Sequence, residues 1–190
     1  NINPQTDTLP ILTVIGEEFK KDKYLINIVA ENIGIDADDI MELDLFLYNT
    51  EKGSLIGANE EFISIGKLDN LAMVHAGLNG IIDSKVGKAT NVLACFDNEE
   101  VGSRTKQGAA SPMLRTVLER ISIAMGKDRE DYYRALSNSF LISSDQAHAL
   151  HPNYTEKQDP TSRPVVNGGP AIKMAANQSY TTDSSSSAVF

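Results

Sequence analysis

Apolar residues recur at two periods along this chain, and the two periods separate helices from strands. Tyr24, Leu25, Ile28, Val29 and Ile33 fall at helical spacing, which predicts an amphipathic helix from Lys21 to Asn32 with Gly34 at its end. Leu71, Val74, Leu78 and Ile82 share one face of a second predicted helix, Asn70 to Ile82. Ser111-Pro112 opens a third, with proline at its first position; it carries Met113, Leu114, Val117, Leu118, Ile121 and Ile123 and stops near Gly126. A shorter helix is expected from Asp128 to Leu136, and Thr182-Asp183-Ser184 reads as the cap of a last one. The strand signals are the apolar run Ile11 to Ile15, the alternating segment Met41 to Tyr48, and the runs Asn91 to Phe96, Ser139 to Ser144 and Pro170 to Ala176. Asn3 to Pro10 and Asn49 to Gly53 read as turn-rich connections.

Helix and strand alternate in the second part of the chain. That rhythm predicts an α/β fold with a mixed, largely parallel sheet and helices on both faces. Asn91 to Phe96 is apolar throughout after Asn91, as a strand covered on both faces should be.

Charge divides the chain at the same place. Asn1 to Phe62 holds 13 acidic and 4 basic residues and so carries the whole formal net charge of −9; the remainder is balanced. The step predicts two units, residues 1–62 and 63–190. No basic stripe is available to meet phosphates, so nucleic-acid binding is not expected. No apolar run approaches the ~20 residues of a membrane-spanning helix. Asn1-Ile2-Asn3-Pro4 shows no signal-peptide pattern. Cys95 is the one cysteine, which precludes an internal disulfide and fits a reducing, cytoplasmic setting.

Candidate chemistry gathers where apolar runs end. Glu99 and Glu100 follow the run that ends at Phe96, and Asp145 follows the one that ends near Ser144. Asp69 precedes a helix, whose N-terminus favours a negative group. In open α/β sheets ligands bind beyond the carboxyl ends of strands, so all three sites can meet at one edge. Adjacent glutamates repel each other, and a bound cation or a shared proton offsets that cost. One carboxylate can hold a divalent metal while its neighbour takes a proton from water. The alternative readings are plain ones: Glu99-Glu100 as a surface pair, Asp69 as a helix cap, Asp145 as a cap beside a surface histidine. His75 lies within a helix near its apolar face, where packing suffices to explain it. His148 and His151 complete Asp-x-x-His-x-x-His with Asp145, a spacing that suits either a metal or a hydrogen bond that orients the backbone. Asp36-Ala37-Asp38-Asp39 reads as a solvated helix cap ahead of a cation site. Lys173 can meet an anion. No His-Glu-x-x-His, nucleophile elbow, phosphate loop or dinucleotide glycine pattern is present.

Four segments together carry a resemblance: Leu68-Asp69-Asn70-Leu71, Asp97 to Ser103, Ser144 to Tyr154, and Arg163-Pro164 through Gly169-Pro170-Ala171-Ile172-Lys173. They resemble the aspartyl aminopeptidase-type metallopeptidases, which include yeast-type vacuolar aminopeptidase and bacterial relatives. The resemblance is specific from Gly66 to Phe190 and looser before it. It implies a co-catalytic dizinc exopeptidase that removes N-terminal, often acidic, residues from peptides, with manganese or cobalt as possible substitutes for zinc. It implies Asp69 as the metal-bridging carboxylate, Glu99 as general base, Glu100 and Asp145 as ligands of one metal each, and Lys173, Tyr180 and His148 as substrate-binding residues. It further implies a homo-oligomer, commonly a dodecamer, built through an inserted β-rich domain to which residues 1–62 would belong, with residues 63–190 in the catalytic domain. The family's two further histidine ligands, one from an upstream His-x-Asp and one near the C-terminus, have no match here. The chain therefore reads as the central part of a longer enzyme, inactive when alone. A non-catalytic assembly module of the same fold is the second expectation, and a dinuclear deacylase of amino acids the third.

Overall fold

Capping groups decide where the helices of this chain begin and end. A computed structural model describes residues 2–14, 16, 22–177 and 180–190. The chain divides into two compact units, Asn1–Thr50 and Glu51–Phe190.

In the first unit, the side chain of Asn3 accepts the Gln5 N–H (3.0 Å) and Pro4 fills the first position of α1, Pro4–Asp7. The periodic segment forms α2, Tyr24–Ile33; Lys21, the expected start, lies outside the described residues. Gly34 ends α2 in the left-handed region at φ 74°, and its N–H bonds the Ala30 carbonyl at 2.8 Å. Ala30 is the buried residue of α2, which packs on the 3-10 turn Ala37–Asp39. Asp36 caps that turn by accepting the Asp38 N–H at 3.0 Å, so the acidic cluster is the solvated cap expected of it. An ion pair between Lys23 and Asp38 ties the start of α2 to the same turn.

In the second unit, a hairpin that the sequence reading did not single out opens the chain path. β1, Ser54–Ile56, pairs antiparallel with β2, Phe62–Ser64, in the register Ser54↔Ser64, Leu55↔Ile63 and Ile56↔Phe62. Gly57 turns it at φ 102°, where a Cβ would also lie 2.4 Å from Glu61 Oε2. α3 spans Leu68–Asp83, but Asp69 (φ −83°, ψ 110°) and Asn70 (φ −115°, ψ 20°) are not helical. Regular helix therefore begins beyond Asn70, close to the expected start. α4, Met113–Ala124, and α5, Arg129–Ser137, pack against each other across Gly126. Tyr132 seals that contact: it is 4% exposed and its hydroxyl donates to the Arg115 carbonyl at 3.2 Å. Asp128 and Asp131 form a reciprocal capping box at the start of α5. Asp183 and Ser186 form another at the start of α6, Ser184–Val189.

The strand expectations meet a different outcome. Among the described residues the one sheet is β1–β2. Ile11–Val14, Met41–Tyr48, Asn91–Phe96, Ser139–Ser144 and Pro170–Ala176 carry no ladder, and Ile15 lies outside the described residues. A strand exists only where a neighbour accepts its hydrogen bonds, and these runs find none among the described residues. Their side chains remain open: Val92 is 53% exposed and Leu141 70%. The chain exposes 17144 Å², about twice the ~8,900 Å² that area–mass scaling gives a folded monomer of its size.

Candidate metal centre

Two loops of the second unit are pinned together by an amide. Asn70 Nδ2 donates to the Ser144 carbonyl at 3.1 Å across 74 residues of sequence. The residues on either side of this bond are Asp69 and Asp145, so it brings the two carboxylates into one neighbourhood. Leu68, Asp69, Gln146, Ala147 and His148 line the open depression there, of about 230 Å³. The peptide between Asp69 and Asn70 is cis.

Lys173 closes the arrangement. Its ammonium donates to Asp145 Oδ2 at 2.6 Å and to the Gln146 carbonyl at 2.7 Å. The hydrogen bond from Lys173 holds the Asp145 carboxyl below the usual carboxylate range against some desolvation. The Lys173 charge, the Gln146 N–H at 2.8 Å and the Asp69 side chain act in the same direction. The positive charge beside Asp145 is thus an ammonium.

Glu99 and Glu100 lie on an exposed turn closed by the Gly102 N–H on the Glu99 carbonyl at 3.1 Å. Among the described residues, no three His, Cys, Asp or Glu side chains stand together in a group that could hold a metal. The structure thus brings together Asp69, Asp145 and Lys173 and leaves the glutamates outside any such group. His148 lines the depression, and its carbonyl accepts from Gln158 Nε2 at 3.4 Å. Tyr180 is exposed and does not line the depression. His151 Nδ1 accepts the Asn153 N–H at 3.2 Å, and its ring meets Tyr154 at 5.2 Å; this is the backbone-orienting alternative. His75 interacts with Asn79 one helical turn away on α3.

Sequence reasoning missed the parts that hold these loops. Asn70 is read in the sequence as a helix start and as part of the Leu68-Asp69-Asn70-Leu71 segment, with no sign of its bond to Ser144. Just ahead of Glu99, Asn98 adopts φ 58° and donates from Nδ2 to Thr105 Oγ1 (3.2 Å) and Gln107 Oε1 (3.3 Å). The Ala110 N–H returns to the Ser103 carbonyl at 2.9 Å, and Gly108 sits so close that a Cβ would lie 2.1 Å from that oxygen. The Asn98 and Gly108 residue types were the available signal.

Asp69 and Asp145 fit a divalent metal as two oxygen donors, and an ammonium already satisfies the negative charge at one of them. A zinc site takes about three or four protein ligands, so the pair supplies part of a set.

Two carboxylates beside a lysine on neighbouring loops are the charged cluster of this unit. The chain belongs to the M18 peptidases: the family model described as "Aminopeptidase I zinc metalloprotease (M18)" matches residues 1–190. It is 61% identical over 189 residues to "Probable M18 family aminopeptidase 2" of Clostridium novyi (strain NT), a match covering 100% of this chain and 44% of that protein. It is 39% identical over 169 residues to "Aspartyl aminopeptidase" of Caenorhabditis elegans, covering 86% of this chain and 36% of that one. A crystal structure described as prApe1 superposes with a TM-score of 0.84 at 26% identity, over 100% of this chain and 43% of that one. The α/β fold is therefore that of the M18 aminopeptidases, and the chain spans less than half the length of these relatives.

Proposed function

We propose that the protein carrying this chain is a zinc-dependent aminopeptidase that releases acidic N-terminal residues from peptides. The observation that supports the proposal is the Asn70–Ser144 bond, which brings Asp69 and Asp145 into one neighbourhood, with Lys173 paired to Asp145. In this reading Asp69, Glu100 and Asp145 would hold zinc, with manganese or cobalt as substitutes. The metal supplies polarisation of the scissile carbonyl and a water of lowered pKa. Glu99 accepts the proton of the attacking water and returns it to the leaving amine. His148 and Tyr180 flank the substrate, and Lys173 receives its acidic side chain.

Residues 63–190 would form the centre of the catalytic domain and residues 1–62 part of an inserted domain used for assembly into a homo-oligomer, a dodecamer in the resemblance that prompts the proposal. The lone cysteine and the acidic balance favour a cytoplasmic enzyme, and no helix among the described residues is long and apolar enough to cross a membrane. The test is hydrolysis of an aspartyl chromogenic amide beside its leucyl counterpart by the intact protein, before chelation, after it, and after zinc is restored. Aspartyl turnover that disappears and returns supports the reading. A fully folded, zinc-loaded protein that cleaves neither amide favours the assembly module.

A further inference from the structure

The stretch from His148 to Pro164 folds into a closed loop. Its base is shut by the Leu150 N–H on the Pro164 carbonyl at 2.7 Å. Its tip is the turn His151–Tyr154, in which the Tyr154 N–H returns to the His151 carbonyl at 3.0 Å and Pro152 presets the second position. The His151 ring caps that turn, because its Nδ1 accepts the Asn153 N–H at 3.2 Å. An asparagine side chain makes the same bond in an Asx-turn; here a titratable group stands in its place. We propose that His151 is a pH-operated latch, which holds the turn closed when neutral and releases it when protonated. Such a latch needs no metal.

A backbone N–H can only donate, so Nδ1 carries no hydrogen and the imidazole proton sits on Nε2. Imidazole is the side chain that ordinarily changes charge between about pH 5 and 8. Protonation puts a hydrogen on Nδ1 as well. With N–H bonds of about 1 Å, two hydrogens facing each other across 3.2 Å would stand about 1.2 Å apart, so the ring has to turn away. The surrounding charge gives an imidazolium no reason to stay. The His151 ring meets the Tyr154 ring at 5.2 Å, and that ring already carries the Lys157 ammonium 4.7 Å from its centroid. Two cations would then share one aromatic ring. Glu156 and Asp159 are the carboxylates of the loop. Asp159 accepts the Thr161 and Ser162 N–H groups at 2.8 Å each, and among the described residues no carboxylate pairs with His151. Arg163, on the far limb, donates to the Asp159 carbonyl at 3.0 Å, and His148 is the titratable neighbour on the near limb. The bond is therefore present while His151 is neutral and lost as pH falls through the imidazole range. Its loss travels beyond the tip. The 3-10 turn Thr155–Lys157 follows directly, and Gln158 at its end donates to the His148 carbonyl at 3.4 Å. Releasing the tip frees that contact, so acid loosens the side of the depression that His148 lines.

The experiment follows amide hydrogen exchange by mass spectrometry in the intact protein between pH 8 and pH 5, with labelling times scaled to the intrinsic exchange rate at each pH. Wild type is compared with His151→Asn, His151→Ala and His148→Asn, and peptides from α4 and α5 report whether the fold is kept. Protection of the peptide spanning residues 151–158 should fall by on the order of tenfold from pH 8 to pH 5 in wild type, the worth of one hydrogen bond, while α4 and α5 stay protected. H151N, whose amide oxygen accepts at every pH, should keep the protection throughout. H151A should lack it at both ends, and H148N should fall as wild type does. A wild-type loop equally protected at pH 8 and pH 5 overturns the latch. So does an H151N loop that opens in acid like wild type, or an H148N loop that no longer opens. Should H151N fail to fold, wild type and H148N still decide.

Discussion

Gly108 and Glu99 show how differently single residues act in one loop. Gly108 is structural: a methyl group there would stand 2.1 Å from the Ser103 carbonyl, a backbone atom that cannot step aside. Gly108→Ala should therefore lower stability by about 1–3 kcal/mol, read as a drop in thermal midpoint, because the loop that carries Glu99 and Glu100 must open to admit it. Glu99 touches little and is exposed, so its replacement should leave stability alone. Glu99→Gln in the intact protein should keep its zinc and lose turnover by at least about 10²-fold. Unchanged activity in that variant would remove Glu99 as the base. The proximity of Asp69 to Asp145 could be anticipated from the sequence, since both sit where an apolar run meets a loop. The Asn70–Ser144 bond could not, because a hydrogen bond spanning 74 residues leaves no local pattern.

At the scale of elements, helices were legible and strands were not. A helix satisfies its own backbone, so α2, α4 and α5 follow from local spacing, Gly34, Pro112 and Asp128. A strand needs a neighbour, and the runs ending at Phe96 and Ser144 have none among the described residues. The β1–β2 hairpin was within reach of the sequence: the glycine-led loop Gly57-Ala58-Asn59-Glu60-Glu61 separates Leu55-Ile56 from Phe62-Ile63. Local capping also sets a pH response. The hydrogen bond from Arg134, helped by the Asp128 backbone, depresses the Asp131 pKa below its ordinary 3.8. A depressed carboxyl stabilises the folded helix above its unfolded pKa and loses that contribution as pH falls through the lower folded value. The start of α5 should thus fray below pH 3.8 but not between pH 5 and 7, which the amide shifts of Arg129 to Asp131 would report. Asp131→Asn should remove that acid-side transition.

For the whole molecule the decisive quantity is uncovered apolar surface. Ala30 and Tyr132 are the buried hydrophobic residues among those described, while Leu141, Val166 and Ile172 stand open. The chain spans 44% of the length of its Clostridium novyi relative. Produced alone, the 190-residue chain should bind a hydrophobic dye such as ANS strongly and show little cooperative unfolding. Weak dye binding with a sharp melting transition would mean that the chain covers itself in some other way. Tyr132→Ala, at the α4–α5 contact, should cost about 3 kcal/mol in the intact protein and far less in the isolated chain, where less is cooperative to lose.

The most direct test of the account is zinc content at equilibrium dialysis for the intact protein and its Asp69→Asn and Asp145→Asn variants, all checked for fold. Convergence of the two carboxylates on shared metal predicts that each substitution alone lowers bound zinc well below the wild-type stoichiometry. Full zinc in both folded variants would contradict it.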